Sequence, residues 1–179
     1  MNKKISKINS LIKKKYKYEL LENGFSSKDI AAGRKVLNSK RITMAENTRK
    51  FEDAFAKKIG SKYALMVNSG SSANLLAAFA LINPKKKGKL RPGDKFLIPA
   101  ICWSTSLWPI IQSGLKVKFV DISLETLNID ITQLKKKITK KTKALMLVHA
   151  LGNCADMSQI VKICKKNKII LIEDTCEAL

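Results

Sequence analysis

A chain of 179 residues, 45% apolar and 27% charged, is long enough for one buried core and too evenly balanced for wholesale disorder. Its 35 Lys and Arg against 14 Asp and Glu give a formal net charge of +21, which invites a nucleic-acid or membrane-surface reading. The excess is nearly all Lys and aromatics are only 6%, unlike the Arg forks and interleaved rings of specific nucleic-acid readers.

Residues 1–25 form a basic arm in which Ile5, Ile8, Leu11 and Ile12 recur at helical spacing, as in a surface helix, an interface arm or a frayed tail, with a lipid-surface helix as the lesser alternative. The arm has neither the apolar stretch nor the small-residue cleavage site of a secretory signal, and no later run reaches membrane-spanning length, so a cytoplasmic location is expected. Ser26 followed three residues later by Asp29 is a capping pair opening a helix that reaches Asn38. A second helix runs from about Glu46 to Ile59, with Phe51, Phe55 and Ile59 on one face and Gly60 as its stop. The period then changes: residues 63–67 are a short apolar run, as expected of a buried parallel strand. A polar turn over residues 68–74 precedes a helix through Leu75, Leu76, Phe79 and Leu81 to Ile82, and a Lys/Gly/Pro connection follows.

Residues 95–98 read as a second strand, followed by a loop with Pro99, Cys102 and Trp103 and by a short helix that Pro109 kinks unless it falls in the first turn. Residues 116–120 are a third strand, and Asp130 caps a helix carrying Ile131, Leu134 and Ile138. Residues 144–148 are a fourth strand ending in His149. Asp156 caps a helix with Met157, Ile160, Val161 and Cys164 along one stripe. Residues 169–172 are a fifth, buried strand, with Glu173-Asp-Thr-Cys-Glu177 at its carboxyl end.

This alternation predicts an α/β fold with a parallel sheet covered by helices on both faces. Right-handed crossovers then bring the polar segments after the strands to one edge, where open sheets of this kind bind ligands. The chain stops about five residues past its last strand with no helix to cover that side, so it is expected to be a truncated portion of a larger protein. The four cysteines lack a Cys-x-x-Cys pair and are expected as reduced thiols, with no zinc site.

Within the polar segments, Gly70, Ser71 and Ser72 lie between a strand and a helix, where amides and hydroxyls make an anion cradle or simply a cap. The glycine spacing is neither that of a dinucleotide fingerprint nor that of a Walker loop. Asp174 needs a partner, either a cationic ring nitrogen or the start of a following helix. Trp103 offers a flat face or packs, and His149 is a satisfied semi-buried residue or a ligand contact. Jointly, a phosphate cradle, a stacking aromatic and a carboxylate for a ring nitrogen are what pyridoxal phosphate requires.

The motifs Asn68-Ser-Gly-Ser-Ser-Ala-Asn74, Pro92-Gly-Asp94, Pro99-Ala-Ile-Cys-Trp-Ser-Thr105, Phe119-Val-Asp-Ile122, Leu127-Asn-Ile-Asp130, His149-Ala-Leu-Gly152 and Ile172-Glu-Asp-Thr-Cys-Glu177 resemble the DegT/DnrJ/StrS family of sugar aminotransferases, in register from about Ser26 to Leu179. The resemblance implies part of the large domain of the aspartate-aminotransferase-type fold over residues 26–179. It also implies a homodimer acting on nucleotide-linked 4-keto sugars in surface-polysaccharide or deoxysugar biosynthesis; no nucleic-acid or membrane partner is expected, because the lysines are dispersed in small clusters along the chain. By the same resemblance Gly70, Ser71 and Ser72 hold the cofactor phosphate, Trp103 stacks on its ring, and Asp174 pairs with the ring nitrogen. Glu177 lies near the phenolic oxygen and His149 near cofactor or sugar.

The subgroup most similar is the 3-dehydrases of 4-keto-6-deoxy sugars, which use pyridoxamine phosphate and replace the Schiff-base lysine by histidine. Some of them bind an iron–sulfur cluster through a cysteine where Cys176 stands; otherwise no metal is implied. No Lys or His in this chain matches the catalytic position, which the resemblance puts beyond Leu179 together with a smaller C-terminal domain. The chain alone is therefore expected to be inactive. The alternative from another class is a non-enzymatic basic nucleic-acid-binding module, in which the polar segments after the strands would serve no purpose.

Overall fold

Phe96 and Ile98 turn to one face of strand β1 (Lys95–Pro99) and Leu97 to the other, and all three are fully buried. This alternation sets the layers of the molecule. The computed structural model describes residues 24–178 apart from Met44, so the basic arm predicted over residues 1–25 lies almost wholly outside the described residues. The described chain falls into two compact units, one ending at Met66 and the other beginning at Val67.

The second unit holds a parallel sheet of β1, β2 (Lys116–Val120), β3 (Thr142–Val148) and β4 (Ile170–Asp174) in the order β2-β1-β3-β4. On one face, Phe96, Ile98, Ala144 and Met146 pack against Leu81 of α3 (Gly70–Ile82) and Ile110 of α4 (Ser104–Gln112). On the other, Leu97, Val120, Leu145 and Leu147 pack against Leu134 of α5 (Ile131–Lys137) and against Ile160 and Cys164 of α6 (Met157–Asn167). Each fully buried Leu, Ile or Phe removes enough apolar surface from water to contribute on the order of 1.5–3 kcal/mol. The predicted α/β sandwich is therefore the observed one.

In the first unit, α1 (Ser27–Asn38) opens with the expected capping box. The Ser26 amide donates to Asp29 Oδ2 at 2.8 Å, and the Asp29 amide donates to Ser26 Oγ at 3.3 Å. Helix α2 (Glu46–Ile59) stacks the rings of Phe51 and Phe55 at 5.7 Å and ends on Gly60 at φ 70°, the left-handed conformation a helix stop requires.

Three expectations need correction. Residues 63–67 form no strand: among the described residues none pairs with them, and Tyr63 and Leu65 are 76% and 75% exposed. An apolar run becomes a strand only when a neighbour accepts its ladder bonds, and here the Met66 amide instead donates to Glu52 Oε1 at 2.7 Å. The turn predicted over residues 68–74 is mostly helix, because Ser69 caps α3 by accepting from the Ser72 amide at 3.2 Å. The last strand, β4, expected to be buried, is a half-buried edge of the sheet.

Candidate functional site

From β1 the chain crosses to β2 on one side, whereas from β3 it crosses to β4 on the other. The carboxyl ends of β1 and β3 are thus the point where the winding reverses, and connections leaving in opposite directions open a crevice there. A cavity of about 540 Å³ occupies it, within the usual range for small-ligand sites. Its wall is built from the start of α3 (Gly70, Ser71, Asn74), the segment after β1 (Ile101, Cys102, Trp103), the turn after β3 (His149, Ala150, Leu151) and the end of β4 (Asp174, Cys176, Glu177). Gly70, Ser71, Trp103, His149, Asp174 and Glu177, predicted from separate stretches of sequence, therefore meet on one wall. Ser72 stands off it, its amide and hydroxyl both engaged with the Ser69 cap.

Asp174 is the most constrained group in the cavity. Its Oδ2 accepts from Asn74 Nδ2 and from Ser106 Oγ, each at 2.8 Å, and its Oδ1 accepts from the Cys176 amide at 3.2 Å. All three donors are neutral, and among the described residues no Lys or Arg lines the cavity and none forms an ion pair with Asp174. The result is a fixed carboxylate facing a mostly apolar crevice with no cation of its own. It lies beside the Cys102 thiol, which burial and then the negative charge of Asp174 push above the ordinary cysteine range.

The same helix fixes both ends of the crevice. Gly70 opens α3 on the cavity wall, and a Cβ there would meet nothing within 4 Å. Asn74, four residues on, holds Asp174. Four residues of helix rise about 6 Å, close to the width of a substituted six-membered ring. Trp103, 75% exposed, stands on the wall as an uncovered aromatic surface.

The turn after β3 is held from three directions. His149 is 4% exposed; its Nδ1 accepts from the Ala155 amide at 3.1 Å, which leaves the proton on Nε2, 3.3 Å from Glu173 Oε2. Neither nitrogen can engage a ligand without giving up a bond. Buried Asn128 accepts from the Ala150 amide at 3.1 Å and donates to the Asn153 carbonyl at 2.9 Å. Glu177 Oε2 accepts from the Leu151 amide at 2.6 Å, and Leu151 adopts a left-handed φ of 54°. Sequence reading missed Asn74, Ser106 and Asn128. The available signal was a polar residue at an inward position of an otherwise apolar helix, as Asn74 is in Ala-Asn-Leu-Leu-Ala-Ala.

Cys176 lies on the wall, but among the described residues no group of three or more His, Cys, Asp or Glu could hold a metal ion, and nothing supports the iron–sulfur cluster. No helix among them is long and apolar enough to cross a membrane.

The model of the DegT/DnrJ/EryC1/StrS aminotransferase family matches residues 25–179. The chain is 47% identical over 162 residues to GDP-4-keto-6-deoxy-D-mannose 3-dehydratase of Escherichia coli O55:H7, covering 90% of this chain and 42% of the relative. It is 43% identical over 137 residues to the lipopolysaccharide biosynthesis protein RfbH of Salmonella typhimurium, covering 74% of this chain and 31% of the relative. A solved structure of the E. coli GDP-4-keto-6-deoxy-D-mannose-3-dehydratase with bound hydrated PLP superposes with a TM-score of 0.86 at 47% identity, over 90% of this chain and 41% of that one. The chain thus spans about two fifths or less of the length of these relatives.

Proposed function

The chain belongs to the DegT/DnrJ/EryC1/StrS aminotransferase family, and from that membership we propose that it forms the cofactor-binding part of an enzyme acting on nucleotide-linked 4-keto-6-deoxy sugars. The observation that carries this reading is Asp174, a carboxylate fixed by three neutral donors and left without a cation. Pyridoxal or pyridoxamine 5'-phosphate fits the donor set: a protonated ring nitrogen for Asp174, a flat ring for Trp103, and a phosphate for the amides and hydroxyl at Gly70 and Ser71. When bound, the coenzyme supplies an electron sink for negative charge developing on the substrate carbon.

The protein's own share is positioning. Asn74 and Ser106 hold the Asp174 carboxylate in place so that it can keep a proton on the ring nitrogen. Ser72 acts indirectly, locking the cap that aims the first amides of α3 at the phosphate. Glu177 and His149 hold the turn at Leu151 as the wall on the sugar side. Because burial and Asp174 keep the Cys102 thiol protonated near neutral pH, it does not compete as a nucleophile.

Similarity to a 3-dehydratase at 47% identity supports dehydration over transamination, and similarity to a lipopolysaccharide biosynthesis protein supports a place in surface-polysaccharide synthesis. Among the described residues no Lys lines the cavity, and the bonded His149 is not free to serve in its place. The chain alone should therefore bind cofactor without turning over substrate. The complete enzyme would act as a homodimer in the cytoplasm.

Pyridoxamine phosphate is the better probe, since its amine does not condense with surface lysines. Titration should quench the fluorescence of Trp103, and Asp174→Ala should weaken binding by about 10- to 100-fold, the equivalent of one charge-assisted hydrogen bond. Unchanged affinity in that variant would remove Asp174 from the cofactor site.

A further inference from the structure

The fold separates charge in a way the linear sequence conceals. In the unit that begins at Val67, the segments leaving the strand carboxyl ends and entering the next helix contain no Lys or Arg at all, whereas three of the four connections entering a strand, those before β1, β3 and β4, deliver lysines to the opposite edge, and β2 itself begins with Lys116. Lys85, Lys86 and Lys87 precede β1, Lys140 and Lys141 precede β3, and Lys168 precedes β4, directly after Lys165 and Lys166 in the last turn of α6. These eight side chains are all exposed. The connections are adjacent in space: Lys95 at the start of β1 pairs with Lys116 at the start of β2, and the Lys95 amide donates to the Lys141 carbonyl at 2.9 Å. With neighbouring strands about 4.8 Å apart, the four starts form a row roughly 15 Å long. The single acid among these connections, Asp94, is turned back on its own loop, accepting from the Arg91 amide at 2.8 Å.

Helix electrostatics accounts for only part of this. Lysines in the last turns of α5 and α6 complement the negative ends of those helices. Helix α3 has no basic residue in its last turn, yet Lys85, Lys86 and Lys87 follow it in the connection, and Lys140 and Lys141 lie beyond α5. We propose that the amino edge of the sheet, on the side away from the cavity, is an electrostatic docking surface for a lipid bilayer bearing anionic headgroups. Lysines presented as point charges on a broad edge suit a diffuse negative surface, each contributing a similar small attraction. The connections entering β1, β3 and β4 carry no exposed aromatic on which a base could stack and almost no Arg to fork onto one, which argues against nucleic acid. The expectation of no membrane partner came from lysines scattered along the sequence, and the fold gathers them.

Co-sedimentation of the full chain with vesicles tests this. In ~0.1 M salt the chain should bind phosphatidylcholine vesicles containing about 30% phosphatidylglycerol and ignore pure phosphatidylcholine, and ~0.5 M salt should release it. Changing Lys85, Lys86, Lys87, Lys140 and Lys141 to Gln should cost more than ~100-fold in binding. Changing Lys28, Lys35, Lys57, Lys58 and Lys62 to Gln removes the same net charge from the other unit and should cost far less. Equal losses in the two variants would overturn the proposal, leaving net charge alone. So would equal binding to pure phosphatidylcholine, or a short DNA duplex that displaces the vesicles and loses affinity with the first variant. Circular dichroism of both variants should match the parent, since every altered side chain is exposed.

Discussion

Asn74 reaches across a hundred residues of sequence to donate its side-chain amide to Asp174 at 2.8 Å, and the same carboxylate oxygen takes a second 2.8 Å bond from Ser106. Both donors are buried, so neither is readily replaced by water. Asn74→Ala and Ser106→Ala should each lower unfolding free energy by roughly 1–3 kcal/mol. The double variant should lose less or more than the sum, because both act on one oxygen. Urea unfolding of the four proteins measures the coupling; strict additivity would mean that the two bonds do not share a load.

Gly152 and Leu151 make an opposed pair of substitutions. A Cβ on Gly152, at φ 77°, would lie 2.8 Å from the Glu177 backbone oxygen, so Gly152→Ala should destabilise by about 1–3 kcal/mol through strain and displacement of the end of the site. Leu151 sits at φ 54° with its side chain mostly exposed, and Leu151→Gly relieves that strain at little loss of packing. Its unfolding midpoint should stay level or rise. A clear fall would show that the leucine side chain, not its backbone, holds the turn.

The Cys102 thiol is raised first by burial and then by the charge of Asp174, which yields a prediction with a definite sign. The folded state holds this proton more tightly than the unfolded chain does. Its contribution to stability is therefore complete below the ordinary thiol value and is lost as pH rises through the raised one. Alkylation near pH 8 should strike the exposed Cys154 and Cys176 well before Cys102. Asp174→Asn should move the onset of Cys102 labelling to lower pH, which peptide mass mapping across a pH series would detect; an unmoved onset would mean that burial alone sets it.

Asp130 accepts from the Gln133 amide at 2.7 Å and starts α5, whose Leu134 is fully buried on the sheet. Asp130→Ala should cost about 1 kcal/mol, and Asp130→Asn only a small part of that, since Asn caps equally well. Thermal unfolding of the pair provides the comparison; equal losses would show that charge, not the cap bond, is what matters.

Legibility followed the range of the interaction. The Ser26–Asp29 box, the stop at Gly60 and the caps at Asp130 and Asp156 are written within one helical turn, so short stretches of sequence reveal them. The meeting of Trp103, His149, Asp174 and Glu177 follows from strand–helix alternation and the hand of the crossovers, which operate on the chain as a whole, whereas Gly70 reaches the same wall without the strand expected before it. Residues 63–67 were misread because an apolar run does not say whether a partner strand exists. Asn74, Ser106 and Asn128 escaped notice because the groups they satisfy are supplied from 22 to 100 residues away, or from another element altogether. The lysine edge was hidden for the same reason: only the sheet order makes those loops neighbours.

The wall of the crevice is assembled from the start of α3 and from the ends of three strands, and the carboxylate on which it depends comes from the last of them. No single segment at a strand or helix end holds half of it, so the site needs those ends brought together. Its assembly depends on the pairing that registers the sheet, and parallel pairing across long sequence separations is intrinsically slow. Occupancy and folding are thereby one linked equilibrium, and a compound taken up by the native chain should raise its melting temperature with the logarithm of concentration.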